Sequence, residues 1–320
     1  MTDDVLQIGA LVVLFRPLAE HVDHLLRLRA RTPHVLAVDN SMRADPELAA
    51  TLAAHDIAYW HNGNHGGIAG AYNAGLTRLF AEGLNAVALF DQDSVVSEDY
   101  FPLMHESSGR FGAKPFVIGP QIFDANARRF MPQIVSNGFT WRRLSFEGCH
   151  GPQRCSFLLS SGSVISRGAY EKLGAFAEAF FIDHVDTDYA MRALQLGVPF
   201  YIDPRLVLTH RIGHRRVHRL GSLRVTSTNH PAERRYYMAR NGMFLCRQYV
   251  LSFPVAIAPN VVTLMQIAQV LLFEGGKLAK LAAIGYGLID GLYGRLGPIE
   301  SERPRLLRWA NASRAAGQIT

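Results

Sequence analysis

The chain has 320 residues, 48% of them hydrophobic, which is enough apolar content to bury a large core and excludes a disordered protein. The formal charge of +6 is carried almost wholly by arginine, because Lys114, Lys172, Lys277 and Lys280 are the only lysines among 33 basic residues, and arginine is the better bidentate partner for phosphate and carboxylate. Cys149, Cys155 and Cys246 have no CxxC spacing, which argues against a disulfide framework or a thiolate zinc site and fits a reducing compartment.

The opening MTDDVLQ is acidic and lacks the basic-then-apolar pattern of an export signal, so a cytoplasmic protein is expected. Apolar runs rich in β-formers then alternate with helical patterns. Residues 8–15 (IGALVVLF) predict a strand, 18–30 an amphipathic helix, 34–40 (HVLAVDN) a strand and 46–55 a helix. Strand 57–62, helix 68–83 and strand 86–91 (AVALFD) follow. Repeated strand–helix–strand units pair in parallel through right-handed crossovers, so the fold class is α/β with a doubly wound, Rossmann-like sheet. In such sheets ligands bind beyond the carboxyl ends of the strands. Asp39, ending the second strand, and Asp91 and Asp93, ending the fourth, therefore border one crevice.

Beyond this come strand 116–123, a mixed segment over 130–165, a helix near 185–196 and strand 199–204. From about residue 231 the pattern is helical only, which divides the chain into a sheet domain over 1–230 and a helical subdomain over 231–320. Residues 253–273 (FPVAIAPNVVTLMQIAQVLLF) are long and apolar, but Pro254, Pro259, Asn260, Gln266 and Gln269 interrupt them. A buried helix competes there with one that touches a membrane surface or an acyl chain, with Tyr236, Tyr237 and Arg240 nearby.

Several segments carry candidate chemistry. Asp91 and Asp93 in LFDQDS, two apart on an extended segment, point the same way and suit one hard cation, Mg²⁺ or Mn²⁺; a helix cap at Ser94 is the bland alternative. NHGGIAGAYNAG, with Gly66 and Gly67 at a helix start, lets backbone N–H groups approach a phosphate or sugar, although a tight turn is the commoner use of such glycines. Its spacing is not that of a dinucleotide site. In DHVDTDYAMRA, Asp188 and Arg192 lie at i and i+4 and can pair, which leaves Asp186 as a candidate general base toward a hydroxyl. In THRIGHRRVHRL a loop is expected, from which His210 reaches the cation and arginines such as Arg211 neutralise phosphate; a solvated basic loop is the alternative. No nucleic-acid-binding signature is present.

Taken in order, VDNS, GGIAGAYNAG, LFDQDS, DHVDTDYAMRA, THRIGH and RRYYMARNG resemble the inverting nucleotide-sugar glycosyltransferases of family 2, in the rhamnosyltransferase branch. PQRCSFLLSSG, IDPRLVLTHRIG and ERPRLLRW are most similar to the members that make rhamnolipids. The resemblance implies a GT-A fold, dTDP-L-rhamnose as donor, a mono-rhamnolipid as acceptor, and peripheral contact with the cytoplasmic face of the inner membrane. A polysaccharide acceptor is the alternative. It also implies roles: Asp39, Gly66, Gly67, Asn73, Asp91 and Arg211 toward the nucleotide sugar, Asp91, Asp93 and His210 toward the metal, and Asp186 as catalytic base. The family usually has Glu-Asp at the base, whereas Val185 precedes Asp186 here. One other enzyme class fits a single motif, since DQDSV satisfies the D-x-D-x-[TV] pattern of aspartate-nucleophile phosphatases.

Overall fold

The computed structural model describes residues 6–210, 216–220 and 223–316. The chain divides into two compact units, the first comprising Met1–Ser136, Trp141–Ala177 and Asp186–His210, the second Asn137–Thr140, Glu178–Val185 and Arg211–Thr320. From Ala232 onward the described elements are helices, and the second unit also takes in the strands Arg216–Leu220 and Leu223–Ser227 and the segment Glu178–Val185.

The first unit is built on one mixed sheet. Its strands are β1 (Ile8–Leu14), β2 (Val35–Asp39), β3 (Ala58–His61), β4 (Ala86–Asp91), β5 (Val117–Asp124), the short β6 (Arg129–Phe130), β9 (Gln153–Cys155), β10 (Val164–Ser166) and β11 (Phe200–His210). A two-stranded ribbon of β7 (Ile134–Ser136) and β8 (Trp141–Arg143) stands apart from it. The order is β3-β2-β1-β4-β10-β5-β11-β9, with β6 pairing β5. Strands β1 to β4 pair in parallel, whereas β10 runs antiparallel between β4 and β5. Every residue of β1 and β2 is buried, as expected of strands covered on both faces. Helices α1 (Ala19–Arg29), α2 (Pro46–Ala53), α3 (Gly67–Ala81), α4 (Tyr100–Gly109), α5 (Arg167–Leu173) and α6 (Val185–Leu196) connect the strands. Local chemistry sets several of their starts. Asp45 caps α2 by accepting from the Glu47 and Leu48 N–H groups ahead of Pro46, and Ser166 caps α5 through the Ala169 N–H.

Strand β11 continues past the expected end at Pro204, because a register shift between Asp203 and Val207 absorbs the proline and pairing with β5 resumes to His210. His210 is therefore the last residue of a strand rather than part of a loop, and Arg211 lies outside the described residues.

The second unit contains the antiparallel hairpin β12 (Arg216–Leu220) and β13 (Leu223–Ser227), then α7 (Ala232–Tyr249), α8 (Ala258–Phe273) after a 3₁₀ turn at Pro254–Ile257, α9 (Lys277–Tyr293), α10 (Ile299–Glu302) and α11 (Pro304–Ala316). Helices α7 and α9 meet closely through glycine. A Cβ on Gly287 would lie 2.5 Å from the Tyr236 carbonyl, and one on Gly291 would lie 2.2 Å from that of Arg240. Tyr236, Tyr237 and Arg240 are wholly buried, so they do not form the acyl-binding surface expected of them. The Tyr236 hydroxyl donates to Asp290 Oδ2 at 2.8 Å, and Tyr237 Oη accepts from the Ile299 N–H at 2.7 Å.

Candidate active site

The carboxyl ends of β2 and β4 flank that of β1: Leu14 is in register with Asp39, and Val13 with Asp91. Asp39 is fully buried, and its two oxygens accept from the Ser41 N–H at 2.8 Å and the Tyr59 hydroxyl at 2.7 Å. Burial, and then this bond to Asp39, push the Tyr59 phenol up to about 12, so it stays a donor. Asp39 thus orders the strand end beneath the crevice. The next residue joins two motifs, since Asn40 Nδ2 donates to the Gly67 carbonyl at 2.8 Å and Asn40 Oδ1 accepts from Asn62 at 2.7 Å. Gly66 and Gly67 have φ of 64° and 61°, a conformation that favours glycine, and they start α3 at this end of the sheet.

Asp91 ends β4, but Asp93 lies in a turn closed by the Ser94 N–H donating to the Asp91 carbonyl at 3.0 Å. The two carboxylates are therefore not aligned as on an extended strand; the turn leaves Asp93 exposed and Asp91 half-buried. Gln92 ties the turn to the end of β1, its Oε1 accepting from the Phe15 N–H at 2.8 Å. Ser94 Oγ is 2.6 Å from Ser161 Oγ, which packs the SSGS stretch of residues 160–163 beneath the turn. Among the described residues no three His, Cys, Asp or Glu side chains cluster as a metal site. Two hard carboxylates in such a turn still fit a divalent cation of the kind held through one or two carboxylates and substrate phosphate.

Asp186 is half-buried in the first turn of α6, with Oδ1 accepting from the Thr187 N–H at 2.9 Å. It shares a small pocket with Ser160, Ser163, Phe176 and Tyr189. Tyr72, on α3, links the two acidic positions. Its buried phenol is raised well above the ordinary tyrosine range by burial and then by the negative fields of Asp91 and Asp186, with Ser160 hydrogen-bonded to it. Tyr72 and Ser160 sit inside motifs already singled out, yet neither stands out from spacing alone. Asn73 has a different place from the one expected, because its amide clasps the Phe176 backbone, accepting from N–H at 2.8 Å and donating to C=O at 3.0 Å. Asp188 pairs with Arg192 at 2.9 Å, as the i, i+4 spacing implied.

The residues just before Asp186 belong to the second unit. Phe181, Asp183 and His184 all adopt positive φ (66°, 61° and 60°), which is costly for side-chain-bearing residues. Asn241 Nδ2 reaches the carbonyls of Phe180, Ile182 and Asp183 at 2.9 to 3.0 Å. Arg240 donates to those of Ala179 and Phe180, and Arg234 forms a forked pair with Asp183. The RRYYMARNG motif is thereby explained as a clamp on a strained switchback.

The sheet is that of the GT-A glycosyltransferases. The structure of S. aureus TarS 1–349 matches with a TM-score of 0.52 at 12% identity, over 96% of this chain and 87% of that one. GalNAc-T7 with UDP, GalNAc and Mn²⁺ matches at 0.52 and 14%, over 91% of this chain and 58% of that one. No family model matches the chain. Along the sequence, the dTDP-rhamnosyl transferase RfbF of Shigella flexneri is 27% identical over 295 residues, 91% of this chain and 97% of that protein. The chain has the GT-A fold.

Proposed function

We propose that this chain transfers L-rhamnose from dTDP-L-rhamnose to a hydroxyl of a cell-surface polysaccharide precursor, with inversion at the anomeric carbon. The observation that carries the reading is the near full-length similarity to a dTDP-rhamnosyl transferase. The placement of Asp39 and Asp91 at strand ends on either side of β1 supports it.

In this reading the acceptor oxygen attacks the anomeric carbon while the bond to the diphosphate breaks, and the electron pair leaves with dTDP. Asp186 takes the acceptor proton. Asp91 and Asp93 would hold Mg²⁺ or Mn²⁺, which when bound supplies positive charge against the leaving diphosphate. Gly66 and Gly67 bring backbone close to the donor, Asp39 orders the floor beneath the base and deoxyribose, and Asn73 holds Phe176 in place. His210 and Arg211 would add a further ligand and a phosphate contact.

A mono-rhamnolipid acceptor is the second reading, favoured by the rhamnolipid-type motifs PQRCSFLLSSG and ERPRLLRW. Mass spectrometry of products from dTDP-L-rhamnose with each acceptor separates the two. The first reading expects a rhamnosylated oligosaccharide, and a di-rhamnolipid formed in its place would transfer the assignment to the second.

A further inference from the structure

Helix α8 is built inside out. It carries no charged residue, and every exposed side chain along it is apolar, whereas its polar residues Asn260, Thr263, Gln266 and Gln269 are buried or half-buried. The exposed stripe recurs every three or four residues through Val261, Leu264, Met265 and Leu272, with Leu264 66% and Leu272 68% exposed. A water-facing helix has the opposite arrangement. Part of the inward polar side is engaged within the unit, with Asn260 Nδ2 donating to the Gly242 carbonyl at 3.0 Å and the Thr263 hydroxyl to that of Pro259 at 3.1 Å, while the amide oxygens of Asn260 and Gln266 are buried without a hydrogen-bond partner. On α9 the exposed Leu278, Ile289 and Tyr293 add further apolar surface.

Charge is as unevenly distributed as polarity. The second unit holds 16 Arg and Lys against 7 Asp and Glu, a formal +9, whereas the first unit is at −3. A second copy of so basic a unit would be repelled, and an anionic surface attracted.

We propose that the outward face of α8 docks into the interfacial layer of an anionic lipid bilayer, with the basic unit supplying the electrostatic half of the attraction. Pro254–Phe273 is long and apolar enough to cross a membrane, but its polar side is committed to packing inside the unit, so the helix lies along the surface. The inference does not depend on which sugar is transferred.

Co-sedimentation of the full chain with phosphatidylcholine vesicles, with and without phosphatidylglycerol, tests it. Binding is expected to the phosphatidylglycerol vesicles and to weaken with added salt. The double substitution Leu264→Asn and Leu272→Asn should reduce it by tenfold or more, while the circular-dichroism melt stays unchanged because both side chains already face outward. Three outcomes would overturn the proposal: no binding by the unsubstituted chain, equal binding by the double variant, or a dimer that the double variant dissolves while vesicles are ignored. Equal binding to both lipid compositions would overturn its electrostatic half.

Discussion

Asp186 is flanked by its own chain on both sides, with a strained turn before it and the Thr187 N–H holding one oxygen. Replacing it with Asn keeps the shape and removes the proposed proton acceptor, so Asp186→Asn should retain dTDP binding and lose transfer by about 10²–10⁴-fold in a steady-state assay. A second residue-scale expectation concerns His230. Burial, and then the nearby Arg234 charge, lower its imidazole from 6.5 to about 4. The unfolded chain therefore takes up this proton first as pH falls. The stability contributed by the neutral ring is intact above about 6.5 and is lost between there and about 4, amounting to about 3 kcal/mol. Chemical denaturation of wild type and His230→Gln at both ends of that range should show the variant missing this loss. Asp186 and the two carboxylates at the end of β4 are legible in the sequence, because acidic residues at strand ends and helix starts stand out by type. Tyr72 is not, because an aromatic residue on an apolar helix looks like ordinary core, and only the fold brings it to both acids.

At the scale of elements, β1 and β4 can be read from their unbroken apolar runs, and α3 from the glycines before it. Strand β10 cannot, since three residues antiparallel between β4 and β5 carry no periodic signal and are held by long-range pairing. The end of β11 is hidden behind Pro204, which normally argues against a continuing strand. In the second unit the α7–α9 contact rests on the absence of a side chain at Gly287 and Gly291. Gly291→Ala should therefore cost about 1–3 kcal/mol in denaturant unfolding, because the Cβ meets backbone that cannot swing aside. Asn241 acts on a different feature. Truncation to Ala withdraws the donor from three carbonyls of the switchback, at a cost of about 1–3 kcal/mol, and should lower kcat more than the KM for donor. Equal changes in the two constants would count against a positioning role for Asn241.

At the scale of the molecule, a mildly acidic sheet unit carries the candidate donor site and a strongly basic helical unit carries an inverted apolar helix. Overall charge conceals this asymmetry, which appears only when the chain is divided as it folds. The α/β class is legible because alternation of strand and helix leaves few topologies open, whereas the GT-A sheet is reached through the resemblance of the motifs. The acceptor is not, because recognition of a saccharide or of a lipid-linked sugar depends on side chains that no periodicity marks. The central claim, that a cation held at Asp91 and Asp93 anchors a thymidine diphosphate donor, can be tested by isothermal titration of dTDP into the protein with and without Mn²⁺. Binding should require the metal and weaken at least tenfold in Asp93→Ala, a loss of about 1.4 kcal/mol; binding that is indifferent to both the metal and the substitution would contradict it.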